Sequence, residues 1–149
     1  MARRTYDCIR HHSEIQPNKV GLVDLHSDRH LTYREIDRRI DALARHIRKS
    51  FDLKPDDCVA VLCHKSTDIM EVQFACRRIP ARFLPLNWRL TASELEYVLK
   101  DAQVKLLYVG DEFAETGRTA AAAAQVPHVQ TIRDGRPSDY ERGIAAEIG

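Results

Sequence analysis

The chain has 149 residues, 44% of them hydrophobic and 30% charged, a composition that supports a buried core and excludes an intrinsically disordered chain. Its net charge of +1 argues against a dedicated nucleic-acid or anionic-membrane surface. No apolar run approaches the roughly 20 residues of a membrane-spanning helix, and no apolar core follows Arg3-Arg4 as in a secretory signal. The four cysteines lie in predicted helices and strands, which is typical of free thiols in a reducing compartment, so we expect a cytoplasmic location.

The N-terminal region predicts a short helix, a hairpin and a long helix. The short helix covers residues 5–12. Two strands, Val20–Leu25 and His30-Leu31, are separated by a polar turn and predict an antiparallel hairpin. Thr32 followed by Glu35 forms a capping box, and the apolar residues after it recur with helical period as far as Phe51.

Strands and helices then alternate. The strands are the apolar run Cys58–Cys63, then Arg82–Leu86, then Val104–Val109. A helix with a Ser/Thr/Asp cap precedes Pro80, and a helix with a second capping box starts at Thr91. The last forty residues predict a helix over 112–124, a strand over 129–133, a loop, and a helix over 139–148.

This alternation predicts an α/β fold with a mostly parallel sheet and helices on both faces. Such sheets bind ligands at the carboxyl ends of their strands. Two strand ends carry cations there: Cys63–Ser66 with Lys65, and Leu86–Arg89 with Arg89.

Each cation has two interpretations. Lys65 contacts an anion together with the free N–H groups of the following helix, or it belongs to a solvated loop with a Ser/Thr cap, the interpretation we favour. Arg89 binds a phosphate, or it pairs with Asp68, Glu94 or another neighbour; the residues alone leave both open. We expect Trp88 to pack rather than to stack on a ligand.

We expect no metal site and assign no catalytic residue. Cys58 and Cys63 lie five positions apart on one strand, so their side chains point to opposite faces and do not share an ion. His26 and His30 facing each other across the hairpin would supply two ligands only. The glycine patterns of phosphate-binding loops and the nucleophile elbow do not occur.

Five segments together carry a more specific signal than any one alone. They are Pro17–Asp24, Leu31–Ile36, Lys54–Leu62, Pro85–Thr91 with Glu94-Leu95, and Leu99–Ala102. In this order and spacing, they resemble the N-terminal part of the adenylate-forming enzymes, which include acyl-CoA synthetases, luciferases and the adenylation domains of peptide synthetases. The Leu-Asn-Trp-Arg-Leu form of the fourth segment is similar to that of fatty-acyl and aryl-acyl CoA ligases.

The resemblance implies an ATP-dependent acid–thiol ligase. Such an enzyme joins a fatty or aryl carboxylate to AMP with release of pyrophosphate, then transfers the acyl group to the thiol of coenzyme A (CoA). Mg²⁺ assists the first step by offsetting the triphosphate charge. Arg89 matches the arginine that, in relatives, lies where it can help to bind a CoA phosphate.

The resemblance also implies what is missing. The family's phosphate loop, adenine-binding motifs, catalytic acidic residue and C-terminal domain match no residue here. We therefore expect residues 1–149 to be an N-terminal subdomain of such a ligase, inactive alone and without tight binding of ATP, CoA or Mg²⁺. A stand-alone binding, regulatory or dimerisation module is the alternative. Open sheet edges and apolar patches predict self-association.

Two positions depart from the family pattern. Asp56 replaces a glycine, and Pro80 stands where another glycine is usual. Because proline does not reach positive φ, we expect the backbone near Pro80 to differ from that of the family.

Overall fold

The computed structural model describes residues 6–149. Its helices and strands, in chain order, are Cys8–Ile15 (α1), Val20–Asp24 (β1), Arg29–Thr32 (β2), Tyr33–Ser50 (α2), Cys58–Leu62 (β3), Thr67–Arg78 (α3), Arg82–Pro85 (β4), Ala92–Asp101 (α4), Val104–Gly110 (β5), Ala114–Ala123 (α5), His128–Ile132 (β6) and Asp139–Glu147 (α6). The first residue of the predicted 5–12 helix lies outside the described residues. Asp7 caps α1 by accepting a hydrogen bond from the Arg10 N–H, which explains the later start at Cys8.

The predicted α/β architecture is confirmed. Strands β3 to β6 form a parallel sheet in the order β4-β3-β5-β6, and β1 and β2 form a separate antiparallel hairpin. Both capping boxes are present, at Thr32 with Glu35 and at Thr91 with Glu94. Each hydroxyl accepts from a backbone N–H near the helix start, so the sequence signal and the observed helix starts have one physical cause.

Strand β3 is buried on both faces, as its apolar run predicts. Val59 and Val61 point to a core that also contains the buried faces of α1, α2, α3 and α6. Cys58, Ala60 and Leu62 point to a second core against α4 and α5. The sheet is therefore the middle layer of three, with α1, α2, α3, α6 and the hairpin on one side and α4 and α5 on the other.

Four helices end in a residue with positive φ, the conformation that glycine adopts most easily. The residues are Asp52 after α2, Pro80 after α3, Gln103 after α4 and Gln125 after α5. Such a residue lets the next amide turn back onto the last helical carbonyls. No glycine fills this position in α2 to α5, so each of the four ends retains backbone strain.

The end of α3 shows this most clearly and corrects the expectation for Pro80. Its φ is +26°, so the backbone keeps the left-handed turn instead of avoiding it. The Ala81 N–H donates to the Cys76 carbonyl at 2.9 Å. This is the hydrogen bond that spans five residues in the Schellman motif at helix ends. Because proline has no N–H, the shorter bond to the Arg77 carbonyl is not made. Asp56, the other departure, has φ +69°.

Both outer strands of the sheet have modified edges. On β6, the Thr131 N–H donates to Asp139 Oδ2 at 2.8 Å, and the Gln130 side chain donates to the Val129 carbonyl at 3.1 Å. On β4, the Leu86 N–H turns inward to the Val61 carbonyl, so the adjacent Pro85, which lacks an N–H, faces outward. Both edges therefore offer fewer free backbone groups than a regular outer strand.

Candidate functional site

The parallel sheet has one point where neighbouring connections leave in opposite directions. From β3 the chain runs through α3 to β4, and from β5 it runs through α5 to β6, on the other side. Ligands of open α/β sheets bind at such a switch point, outside the carboxyl ends of the strands. The end of β3 and the end of β5 approach closely here, because a Cβ on Gly110 would lie 3.1 Å from Cys63 Cβ.

A cleft of about 350 Å³ lies at this switch point. Its walls are the Cys63–Ser66 segment after β3, the 110–113 segment after β5, the 132–136 segment after β6, and the end of the hairpin at Asp24 and His26. The first of these walls was predicted from the sequence. The other three were not, although Gly110-Asp111 and Ile132-Arg133 also lie at strand ends and the same rule applies to them.

Lys65 is exposed and lines the cleft. The adjacent Ser66 occupies the cap position of α3, but its side chain makes no capping hydrogen bond. The favoured interpretation, a loop closed by a Ser/Thr cap, is therefore wrong in its hydrogen bonding: Ser66 Oγ is buried and without a partner in the described residues. The proposed anion contact at Lys65 stays a prediction.

Arg89 lies in the turn after β4, whose shape is set by Asn87. The Asn87 side-chain oxygen accepts the Arg89 N–H at 3.0 Å, which is a turn built by a side chain. The Arg89 guanidinium stacks over the Trp88 ring, with Cζ 4.0 Å from the ring centroid. The proposed ion pairs are not formed, because Glu94 accepts from Thr91 and Asp68 pairs with Arg29.

An aromatic cluster joins the end of β4 to the end of β3. The His64 ring packs edge-on against Trp88, with 4.8 Å between centroids, and against Phe113 at 5.0 Å. His64 Nε2 also lies 2.7 Å from Glu112 Oε2. Trp88, 37% exposed, therefore packs against protein groups as predicted, and Arg89 is held beside the cleft with its guanidinium exposed to solvent.

Beneath the cleft lies an ionic network that was not predicted from the sequence. Asp68, in the first turn of α3, has no exposed surface, and its Oδ1 accepts from Arg29 Nη2 at 2.7 Å. The Gly135 N–H donates to Asp68 Oδ2 at 3.2 Å. Burial raises the pKa of Asp68 to about 6, although the hydrogen bond from Arg29 opposes this shift. Asp68 thus joins α3 to the hairpin and to the loop after β6.

The network continues along α2 and α6. Arg39 donates to both oxygens of Glu71, at 2.7 and 3.0 Å, and to both oxygens of Glu141. The Tyr140 hydroxyl donates to Glu71 Oε2 at 2.5 Å. Glu71 has no exposed surface, so Arg39 is the cation that makes its burial possible.

Asp24, on β1, completes the network at the cleft. Burial raises its pKa, but the N–H groups of Ser27 and His26 and the hydroxyl of Thr67 hold it below its ordinary value. Asp24 is therefore a charged carboxylate in the cleft wall.

The cleft contains no activated nucleophile among the described residues. Burial raises the pKa of the Cys63 thiol to about 12, so it stays protonated at neutral pH. Cys58 and Cys63 face opposite cores, and His26 lies in the turn while His30 pairs with Val23, so the two histidines do not face each other. In residues 6–149 no group of three or more His, Cys, Asp or Glu side chains is placed to hold a metal ion.

An open parallel sheet with a polar cleft at its switch point defines the class of α/β proteins that bind ligands at strand ends. Within that class the chain belongs to the family of AMP-binding enzymes, whose family model matches residues 9–147. The resemblance inferred from the five sequence segments is thereby confirmed.

Several relatives are named as ligases or as CoA synthases. The chain is 34% identical over 112 residues to a fatty acid–[acyl-carrier-protein] ligase, ScoC, of Streptomyces coeruleorubidus, covering 75% of this chain and 21% of the relative. It is 38% identical over 122 residues to a feruloyl-CoA synthase of an Amycolatopsis species, covering 80% and 25%.

Solved structures of such ligases have the same fold. The crystal structure of the anthranilate-CoA ligase AuaEII with anthranoyl-AMP superposes with a TM-score of 0.83 at 21% identity, over 93% of this chain and 26% of that one. The N-terminal domain of FACL13 from Mycobacterium tuberculosis gives 0.81 at 19% identity, over 93% and 35%. This chain thus spans between 21% and 35% of the length of these four proteins. Among residues 6–149, none of the helices combines the length and the apolar character that a membrane span requires.

Proposed function

We propose that this chain is the N-terminal part of an ATP-dependent acyl-CoA synthetase, with residues 1–149 forming a subdomain that does not catalyse the reaction alone. The intact enzyme would convert a fatty or aryl acid, ATP and CoA into acyl-CoA, AMP and pyrophosphate through an acyl-adenylate. The observation that carries the proposal is the Asn87–Arg89 turn, which presents an exposed arginine at the carboxyl end of β4 in a member of the AMP-binding family.

The intact enzyme would use ATP, CoA and Mg²⁺, and of these three the described residues fit CoA alone. Arg89 presents a guanidinium fixed by Trp88 at one strand end, and Lys65 presents an ammonium at another. Both are suited to phosphate oxygens, Arg89 through two parallel N–H donors and Lys65 as a point charge. ATP and Mg²⁺ do not fit: the sequence has no glycine-rich phosphate loop, and the described residues place no group of metal ligands together.

The first experiment measures pyrophosphate release by the 149-residue protein with ATP, Mg²⁺ and a panel of fatty and aryl acids. We expect no turnover above the protein-free control, because no residue here matches the family's catalytic acidic residue. Steady release that survives repurification of the protein would contradict the proposal.

The second experiment measures CoA binding by calorimetry at low ionic strength. Weak binding is expected for the wild type, with a loss of about three- to tenfold in affinity for Arg89→Ala, since the guanidinium that would bind a phosphate from an exposed position is removed. Lys65→Ala should have a smaller effect. The matched control is Arg118→Ala, because Arg118 is exposed on α5 and does not line the cleft. Equal affinities of Arg89→Ala and Arg118→Ala for CoA would show that Arg89 does not contribute to CoA binding.

A stand-alone binding, regulatory or dimerisation module is the alternative function. Exposed apolar side chains support self-association, most of all Leu25 at 90% and Tyr97 at 72% exposure. Light scattering at high concentration tests it, and a monomer at every concentration would count against it. The coding sequence after Gly149 separates the two functions: a Ser/Thr/Gly-rich loop supports the ligase, and a stop codon supports the module.

The same proposal places the protein in the cytoplasm. The four cysteines are free, two of them buried in the core, which fits a reducing compartment. Fluorescence microscopy of a tagged full-length gene product tests this location.

A further inference from the structure

The ionic network beneath the cleft contains more carboxylates than cations. Its cations are the guanidinium groups of Arg29 and Arg39, and its carboxylates are those of Asp24, Asp68, Glu71 and Glu141. Asp68 and Glu71 have no exposed surface. Two excess negative charges in a poorly hydrated region are costly, and uptake of a proton is the simplest way to reduce that cost.

Asp68 is the carboxylate through which such a proton affects the cleft. One of its oxygens, Oδ1, accepts from Arg29, and the other, Oδ2, accepts the Gly135 N–H. Gly135 has φ +78°, and a Cβ there would lie 2.6 Å from the Arg29 guanidinium carbon. The loop 133–136, which forms one wall of the cleft, therefore rests directly on the Asp68–Arg29 pair.

We propose that Asp68 takes up a proton in mildly acidic solution and that this weakens its hydrogen bond with the Gly135 N–H. The loop 133–136 then becomes more mobile while the rest of the fold stays intact. A proton on either oxygen would face an N–H donor, that of the charged Arg29 guanidinium at Oδ1 or that of the neutral Gly135 amide at Oδ2. The charged donor is the stronger partner, so the proton from solvent binds Oδ2. No covalent bond other than this O–H changes, and the loss is one hydrogen bond from a backbone amide to a charged acceptor.

Charged and titratable groups from several neighbouring elements face Asp68. They are Asp24 from β1, Arg29 from β2, Arg39 from α2, Cys63 after β3, Glu71 from α3 itself, and Tyr140 with Glu141 from α6. Burial raises the pKa of Cys63 to about 12 and that of Tyr140 well above its ordinary value, so both stay neutral. Asp24, with a lowered pKa, stays charged, and Glu71 and Glu141 share Arg39.

Nuclear magnetic resonance of the backbone amides of the 149-residue protein tests the proposal. The Gly135 amide signal should titrate once, with a midpoint near the pKa of about 6 of Asp68. Its protection from hydrogen exchange, corrected for intrinsic exchange, should fall severalfold on the acid side, while amides in β3 and β5 stay protected. A Gly135 signal that stays constant between pH 4.5 and 8 would overturn the proposal.

Two variants make the test specific. Asp68→Asn should hold the Gly135 amide in its acid-side state at every pH, because the Asn NH₂ cannot accept the Gly135 N–H. The control Asp111→Asn changes an exposed carboxylate that pairs with Arg133 in the same cleft and should titrate like the wild type. Survival of the titration in Asp68→Asn would overturn the assignment.

A third variant covers the case in which Asp68→Asn does not fold. Glu141→Gln removes a facing charge that raises the pKa of Asp68, so its Gly135 midpoint should move to lower pH; an unchanged midpoint would overturn the role of the network. The inference goes beyond the proposed ligase function and does not depend on it, because these readouts involve neither CoA nor turnover.

Discussion

The two faces of the parallel sheet are stabilised by different interactions. Against α4 and α5 the core is apolar, with Leu95, Leu99, Ala120 and Ala121 packed on β3 and β5. On the other face lie all the buried polar and charged residues of the described chain: Asp24, Asp68, Glu71 and Ser138. The first face depends on shape and area, and its stability should depend little on pH. The second face depends on charge pairing, which gives specificity but makes it sensitive to protons and to the loss of one partner.

Glu71→Ala should give the largest loss of stability on the charged face. It leaves Arg39 with only 15% of its side chain exposed and without the partner that accepts two of its hydrogen bonds. Removal of one member of a buried pair costs about 3–5 kcal/mol, measurable by urea denaturation. Glu96→Ala, which removes an exposed partner of Lys100, is the control and should change stability by less than about 1 kcal/mol. Similar losses for the two variants would mean that the network contributes no more than a surface pair.

Leu99→Ala should give a comparable loss on the apolar face. Leu99 is 1% exposed, and truncation of such a side chain costs about 2–5 kcal/mol. The difference between the faces should then appear in the pH dependence. Leu99→Ala should lower the free energy of unfolding by the same amount at pH 5 and at pH 7.5, and an amount that varies with pH would contradict the separation of the two faces.

The pH dependence of the wild type should come mainly from Asp68 between pH 4 and 6. Its pKa is about 6 in the folded state, against an ordinary value of 3.8 for an aspartate carboxyl, so the folded state binds more protons in this window. The contribution of Asp68 to stability is therefore highest at a pH below its pKa in the unfolded chain. It falls as the pH rises through 6, by at most about 1.4 kcal/mol for each unit by which the two pKa values differ. Carboxyls with lowered pKa, such as Asp24 and Asp139, act in the opposite direction below pH 4.

Denaturation with urea at pH 4.5, 5.5 and 7.0 measures this slope. Asp68→Asn removes the titrating group, so its stability should change less over the same range, whatever its absolute value. A wild-type stability that rises steadily from pH 4.5 to 7.0 would contradict the raised pKa of Asp68.

Pro80→Gly should have the smallest effect and the opposite sign. Glycine adopts positive φ without strain and restores an N–H that can donate to the Arg77 carbonyl. The free energy of unfolding should rise by about 1 kcal/mol, net of the greater freedom of glycine in the unfolded chain. Gln103→Gly is the control, because the Gln103 N–H already donates to the Lys100 carbonyl; its gain should be smaller. A loss of stability in Pro80→Gly would refute the strain at this helix end.

The apolar face could be predicted from sequence because its signals are local. An uninterrupted run such as Cys58–Cys63 and a capping box such as Thr91 with Glu94 act over a few residues, and both were found where expected. The charged face could not be predicted, because its contacts join residues that are far apart in the sequence. Asp68 was interpreted as a cap or as a partner of Arg89, yet its partners Arg29 and Gly135 are 39 and 67 positions away.

The candidate site also has a part that could be predicted from sequence and a part that could not. Lys65 and Arg89 were predicted at the carboxyl side of the sheet and lie there, because parallel strands end on one side. The Asp111–Phe113 and 133–136 walls were missed because polar loop residues have no periodicity that separates a cleft wall from a solvated turn. The contact of His64 with Trp88 depends on β4 lying next to β3, and the order of strands in a sheet is not written in any local pattern.

The modified edges of the sheet also bear on the behaviour of concentrated samples. A free outer strand is the usual starting point for fibril growth, since an identical strand from another molecule can continue its ladder of hydrogen bonds. At Thr131 one of the outward N–H groups is already bound by Asp139, and at Pro85 one is lacking. Growth of fibrils by strand addition is thus opposed at both ends of the sheet, and molecules that associate through Leu25 or Tyr97 should form oligomers of limited size.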